Sequence, residues 1–176
     1  MMIGHINIRE QVDADFTRAL RRAFARRMTA RLRGNPSSSR VPSFEEAARA
    51  SGARNKMRAG RRVVAVEKIV GSVGRSGDFD GAFLPIRRSL EERWKRVDRA
   101  FHRGLDLPEV VLYELEGRYF VLDGNHRVSV ARFQGMQWIE AEVTRFHVGA
   151  PATAPGLPDI SQGAISREET MLPAAA

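Results

Sequence analysis

The stretch that most constrains this chain runs from Tyr119 to Gly135, Tyr-Phe-Val-Leu-Asp-Gly-Asn-His-Arg-Val-Ser-Val-Ala-Arg-Phe-Gln-Gly. Tyr119 to Leu122 is an apolar run with the length and composition of a buried strand. Asp123-Gly124-Asn125 breaks that run as a turn, and a helical pattern of Val128, Ala131 and Phe133 follows and stops at Gly135. A strand, a tight glycine turn and a helix start form an anion site. The first helical N–H groups have no intrahelical acceptors, and the helix dipole puts partial positive charge there. Gly124 lets the backbone come close to a ligand, and His126 and Arg127 bring donors to the same end. Asp123, at the carboxyl end of the strand, is placed to orient Arg127 or to hold a magnesium ion through water. The plain alternative is a solvated His-Arg pair on an ordinary strand–turn–helix unit.

The net charge of +8 is uneven. Residues 1–65 hold 15 of the Lys and Arg residues against 5 acids, a balance of +10, and residues 66–176 stand at −2. Such asymmetry points the front of the chain at nucleic acid or another acidic partner. Asp13 to Arg33 reads as a helix, with Asp13 as N-cap and Gly34-Asn35-Pro36 as the stop. Phe16, Leu20, Ala23, Phe24, Met28 and Leu32 form one apolar stripe, while Arg18, Arg21, Arg22, Arg26, Arg27, Arg31 and Arg33 occupy much of the rest. Of these, Arg18, Arg21, Arg22, Arg26 and Arg27 are the expected nucleic-acid contacts. An anionic lipid surface and a merely solvated face are the other readings.

Asn35 to Pro42 reads as a linker, and Ser43-Phe-Glu-Glu46 as a capping box opening a short helix to Ser51-Gly52. Arg54 to Arg62 is a second basic run without apolar period and reads as a loop. Val63 to Val70 is the first strand by β-branched content. Gly71 to Gly77 is a glycine-rich loop in which Arg75 points at a phosphate or carboxylate, though it matches neither a Walker loop nor a Gly-x-Gly-x-x-Gly turn. Asp78 and Asp80 read as turn formers. Ser89-Leu-Glu-Glu92 reads as a capping box before an amphipathic helix of Leu90, Trp94, Val97 and Phe101, closed by Gly104. Trp94 is expected in the core, and His102 merely favours the helix dipole. Val110 to Leu115 and Tyr119 to Asp123 form a hairpin across Glu116-Gly117. Ile139, Ala141 and Val143 mark a half-exposed strand, and from His147 on no periodicity remains.

There is no cysteine, which removes disulfides and every thiol mechanism. No apolar run approaches the roughly 20 residues a bilayer span needs, and no secretory leader pattern is evident, so a cytoplasmic protein is expected.

Asp123-Gly-Asn-His-Arg127, after a hydrophobic strand and before a short helix, resembles the signature of the ParB/sulfiredoxin-like superfamily. Sulfiredoxins carry Gly-Cys-His-Arg at the matching place, free-serine kinases Asp-Gly-His-type variants, and ParB N-terminal domains Gly-Glu-Arg-Arg. The resemblance spans about Val63 to Val143, with Val66 to Arg75 similar to the first strand and loop, Ser89 to Gly104 to the first helix, and Trp138 to Val143 to the closing strand. It implies an α+β fold, a small mixed sheet with helices packed on it, preceded by an Arg-rich helical extension. The implied division is 1–62 for the extension, 63–147 for the ParB/sulfiredoxin-like domain and 148–176 for a flexible tail. Asn125 stands where a sulfiredoxin has its catalytic cysteine, so sulfinic acid reductase chemistry is excluded. No helix-turn-helix follows the segment, where a partition protein carries its sequence-reading domain.

The resemblance implies two functions. One is a ParB-like nucleotide-binding module associated with DNA or RNA, holding a nucleoside triphosphate (CTP or ATP, with magnesium) on Gly124, Asn125, His126, Arg127 and Arg75. The other is an enzyme similar to the free-serine kinases, moving a phosphoryl group from ATP or ADP to a small hydroxyl. In that enzyme Asp123 or Glu67 would be the base and His126 would assist. No metal ligand set is expected, and without a carboxylate cluster for two metals a nuclease is the most distant reading.

Overall fold

The computed structural model describes residues 7–148, apart from the side chains of residues 37 and 38. The expected tail over 148–176 therefore lies, beyond Val148, outside the described residues.

α1 spans Ile8–Leu32 and begins five residues before the sequence places it. The side chain of Asn7, not Asp13, accepts from the Arg9 N–H at the cap. The earlier start follows from Val12, which is fully buried and continues the inward face of Asp15, Phe16, Ala19 and Ala23. The outer half of the expected apolar stripe is not buried: Phe24 is 65% and Leu32 83% exposed. α2 (Phe44–Ser51) is capped by Ser43 and closed by a left-handed Gly52, as its capping box predicts.

The basic run Arg54 to Arg62 is a strand and not a loop. β1 covers Ala53–Ala65 and pairs antiparallel with β5 (Trp138–Val148) along its length. It shows no apolar period because it is an edge strand with both faces largely in solvent, and its charges guard an edge that would otherwise pair with another chain. The expected division between residues 62 and 63 falls inside this strand. The single strand expected over Val63 to Val70 is two, because a 3-10 turn at Val66–Lys68 separates β1 from β2 (Ile69–Ser72).

α3 covers Glu91–His102. Ser89 does not cap it; a 3-10 turn over Arg88–Leu90 leads in and carries Leu90 into the core. β3 (Val110–Leu115) and β4 (Arg118–Asp123) form the expected hairpin, with Glu116 and Gly117 both at positive φ, the geometry that matches strand twist. α4 follows at Asn125–Phe133. The architecture is α+β, a five-stranded mixed sheet in the order β1-β5-β3-β4-β2.

A core packs on each face of the sheet. Val110, Leu112, Val121, Ala141 and Val143 face one core with Phe79, Phe83 and Val128. Leu115 and Phe120 face the other, where Phe44 of α2 meets Tyr113 and Phe146 edge-on. A third cluster docks α1 onto α3 and α4 through Phe16, Ala19, Ala23, Trp94 and Val130. Trp94 is fully buried, as expected, and its indole N–H donates to Ser129 Oγ at 2.9 Å.

Candidate functional site

The β4–α4 junction is built on Gly124, which sits at φ +100° and forms the N-cap of α4. A Cβ there would lie 2.7 Å from Val110 Cγ1 and 3.0 Å from Arg127 Nε, so only glycine lets the turn close. No side chain caps the helix, and its first backbone bond is Val128 N–H to the Gly124 carbonyl. The N–H groups of Asn125, His126 and Arg127 are thus left without intrahelical acceptors. A cavity of about 420 Å³ opens over this end, lined by Asp123 to Arg127 together with Arg75, Arg93 and Arg96.

The expected residues play different parts here. Arg127 is a clamp. Its Nη1 donates to the carbonyls of Pro108 (2.5 Å) and Glu109 (2.7 Å), and its Nη2 to Asp123 Oδ2 at 2.6 Å. Asp123 therefore orients Arg127, the first of the two roles the sequence allows it, and Arg127 fixes the approach to β3. Asn125 is buried, with Oδ1 2.9 Å from Ser72 Oγ; it pins α4 to β2 and turns its side chain away from solvent. Arg75 lines the cavity and pairs with Asp78 at 3.3 Å. Glu67 is not at this site. It stands exposed on the 3-10 turn between β1 and β2, lining a separate cavity of about 880 Å³ with Arg22, Arg26 and Arg132.

His126 is half-buried, its ring edge-on to Phe79, and its Nδ1 is buried without a hydrogen-bond partner among the described residues. Burial pushes the imidazole down to about 4, and the positive charges of Arg93 and Arg75 push the same way. It is a neutral ring at neutral pH.

Sequence reasoning missed Arg93 and Arg96. They sit on the exposed side of α3, whose opposite side buries Trp94, and the fold brings them to the start of α4. Neither forms an ion pair among the described residues, whose pairs include Arg75 and Arg127. Arginines left unpaired beside a helix N-terminus are the only signal that would have found them, and it needs the fold.

The arginines of α1 divide. Arg18 pairs with Asp15, Arg26 Nε lies 3.2 Å from Oδ2 of the buried Asp80, and Arg22 stacks over the Phe133 ring. Arg22 and Arg26 hold α1 to the body and Arg18 pairs within the helix, leaving Arg9, Arg21, Arg27 and Arg31 without an ion pair among the described residues. Asp80 is the turn former its sequence suggests, accepting from the N–H groups of Ala82 and Leu84 at 2.9 Å each.

No protein-family model and no curated protein matches the chain. A crystal structure of sulfiredoxin from Arabidopsis thaliana is similar at 21% identity over 47% of this chain and 82% of that one, with a TM-score of 0.30. At that level the likeness assigns no activity. No helix among the described residues is long and apolar enough to cross a membrane.

Proposed function

We propose that this chain is a nucleotide-binding module of ParB-like logic, which holds the phosphates of a nucleoside triphosphate over the start of α4 and acts in association with nucleic acid. The observation that carries the reading is the convergence of Arg93 and Arg96, both without an ion pair among the described residues, with Arg75 on a helix start whose N–H groups have no intrahelical acceptors. Three guanidinium groups and a row of N–H donors suit a polyphosphate, which offers several anionic oxygens at bidentate spacing. Gly124, His126 and the backbone of Asn125 and Arg127 would supply the cradle, and Arg127 the rigid frame behind it. Magnesium would neutralise part of the phosphate charge, with Asp123 the carboxylate at hand.

The nucleic-acid part rests on Arg21, Arg27 and Arg31, exposed or half-exposed on α1, and on the basic edge strand β1. The alternative, phosphoryl transfer to a small hydroxyl, has less support: Glu67 lines a different cavity, and the Oδ2 of Asp123 is already held by Arg127.

The test is calorimetric titration of ATP, ADP, CTP and GTP with magnesium into the full chain and into an Arg93→Ala/Arg96→Ala variant. The proposal expects one triphosphate to bind selectively and the double variant to lose at least tenfold in affinity. No binding by the wild type to any of the four would end it.

A further inference from the structure

A second polar cluster lies away from that cavity, sealed between α1, α3 and the end of α4. It comprises Asp15, Asp98, His102 and Gln134, with Asp15 and Asp98 2% and 0% exposed. Asp98 and His102 are four apart on α3 and so share one face, while Asp15 reaches in from α1.

The two carboxylates are arranged alike. The Oδ1 of each is held from outside, that of Asp15 by Arg18 and that of Asp98 by the Gln134 amide at 2.7 Å. The Oδ2 of each turns inward to His102 Nε2, which lies 2.9 Å from Asp15 Oδ2 and 3.6 Å from Asp98 Oδ2, and Asp15 Oδ2 alone of the two also accepts from the Gln134 amide at 3.2 Å. One imidazole nitrogen carries at most one proton, so it cannot satisfy both oxygens. Asp98 Oδ2 is in fact buried with no hydrogen-bond partner among the described residues, a rare and costly state for a carboxylate oxygen.

We propose that this cluster is a binding site for a divalent transition-metal ion of the zinc class, taken up by Asp15 Oδ2, Asp98 Oδ2 and His102 Nε2. An ion with bonds of about 2.0–2.1 Å to tetrahedral N and O ligands sets those ligand atoms roughly 3.3 Å apart. The two Nε2–Oδ2 separations bracket that value, and one ligand atom from each of the three residues lies within 4.8 Å of the others. The ion accepts the lone pair of Nε2 and answers the orphaned oxygen of Asp98. Arg18 and Gln134, on the outer oxygens, orient the carboxylates as partners of metal ligands do. The remaining position falls to water. Two carboxylates and an imidazole suit zinc, manganese or iron better than a thiol-seeking ion. Because the ligands come from α1 and α3, the ion would fasten the base of the arginine-bearing helix to the body.

The test is titration of Zn²⁺, and of Co²⁺ as a spectroscopic stand-in, into the chelator-treated full chain. The proposal expects uptake of one equivalent per chain, visible Co²⁺ absorption of a four- or five-coordinate site, a rise in the unfolding temperature, and loss of all three in Asp98→Asn and His102→Gln. X-ray absorption of the zinc-loaded wild type reads the ligand set without any variant and should show one imidazole among oxygens. No saturable uptake by the wild type, unchanged uptake in both variants, or a zinc shell without imidazole would overturn the proposal.

Discussion

Arg127 and Asp123, four residues apart across the β4–α4 junction, are joined at 2.6 Å, and the same guanidinium holds the carbonyls of Pro108 and Glu109. A residue whose type and place advertise a phosphate ligand is thus fully engaged by the protein. Removing it should unfold more than it unbinds. Arg127→Ala is expected to lower stability by roughly 2–3 kcal/mol, since it leaves acceptors without their charged donor. Arg127→Lys should recover little, because an ammonium cannot span the same fork. Urea unfolding measures both.

Gly124 offers a sharper probe of the same junction. Gly124→Ala puts a Cβ against Val110 and Arg127 in a left-handed backbone, and should cost about 1–3 kcal/mol. A substitution at Gly117, also at positive φ but with open space around it, should carry only the backbone strain and cost less. Parallel unfolding curves of the two alanine variants make the comparison.

His126 gives a pH signature. Its folded value of about 4 lies below the ordinary 6.5, so the unfolded chain binds the proton more readily. The contribution is therefore intact above about pH 6.5 and is lost as pH falls towards 4, the direction opposite to that of a histidine with a carboxylate partner. Stability measured between pH 7 and 4 should fall less steeply in His126→Gln than in the wild type. Because Arg93 and Arg75 help to hold the value down, a bound polyphosphate that neutralises them should raise it. Imidazole resonances followed by NMR with and without ligand would show the shift.

On α1 the arginines should separate by role. Arg21→Gln/Arg27→Gln/Arg31→Gln should leave stability within about 0.5 kcal/mol and reduce both the affinity for duplex DNA and its salt dependence. Arg26→Ala should instead cost about 1–2 kcal/mol, since it removes a charged partner from the buried Asp80. Anisotropy titrations over a salt series, with thermal unfolding alongside, distinguish the groups.

What the sequence made legible follows physical rules. The hairpin at Glu116-Gly117, the cap at Ser43 and the glycine turn at 124 are local, set by backbone conformations that few residues adopt. Trp94 was legible because its helix has a single apolar face. β1 was not, because a charged edge strand has no buried side to print a period on the sequence. The start of α1 was missed because Asp13 has the chemistry of a cap, while in the fold it pairs with Lys95 at 2.8 Å. At the candidate site, the helix start with Gly124, His126 and Arg75 was readable. The parts played by Arg127 and Asn125, the distance of Glu67, and the arrival of Arg93 and Arg96 depend on contacts far apart in sequence.

The most direct measurement of the central claim is NMR titration of the full chain with a nucleoside triphosphate and magnesium, read at the backbone amides of Asn125, His126 and Arg127. Saturating shifts of these amides at one ligand per chain, abolished in Arg93→Ala/Arg96→Ala, are the predicted result. Amides at the start of α4 that stay unmoved while the ligand binds elsewhere, or does not bind, would contradict the account.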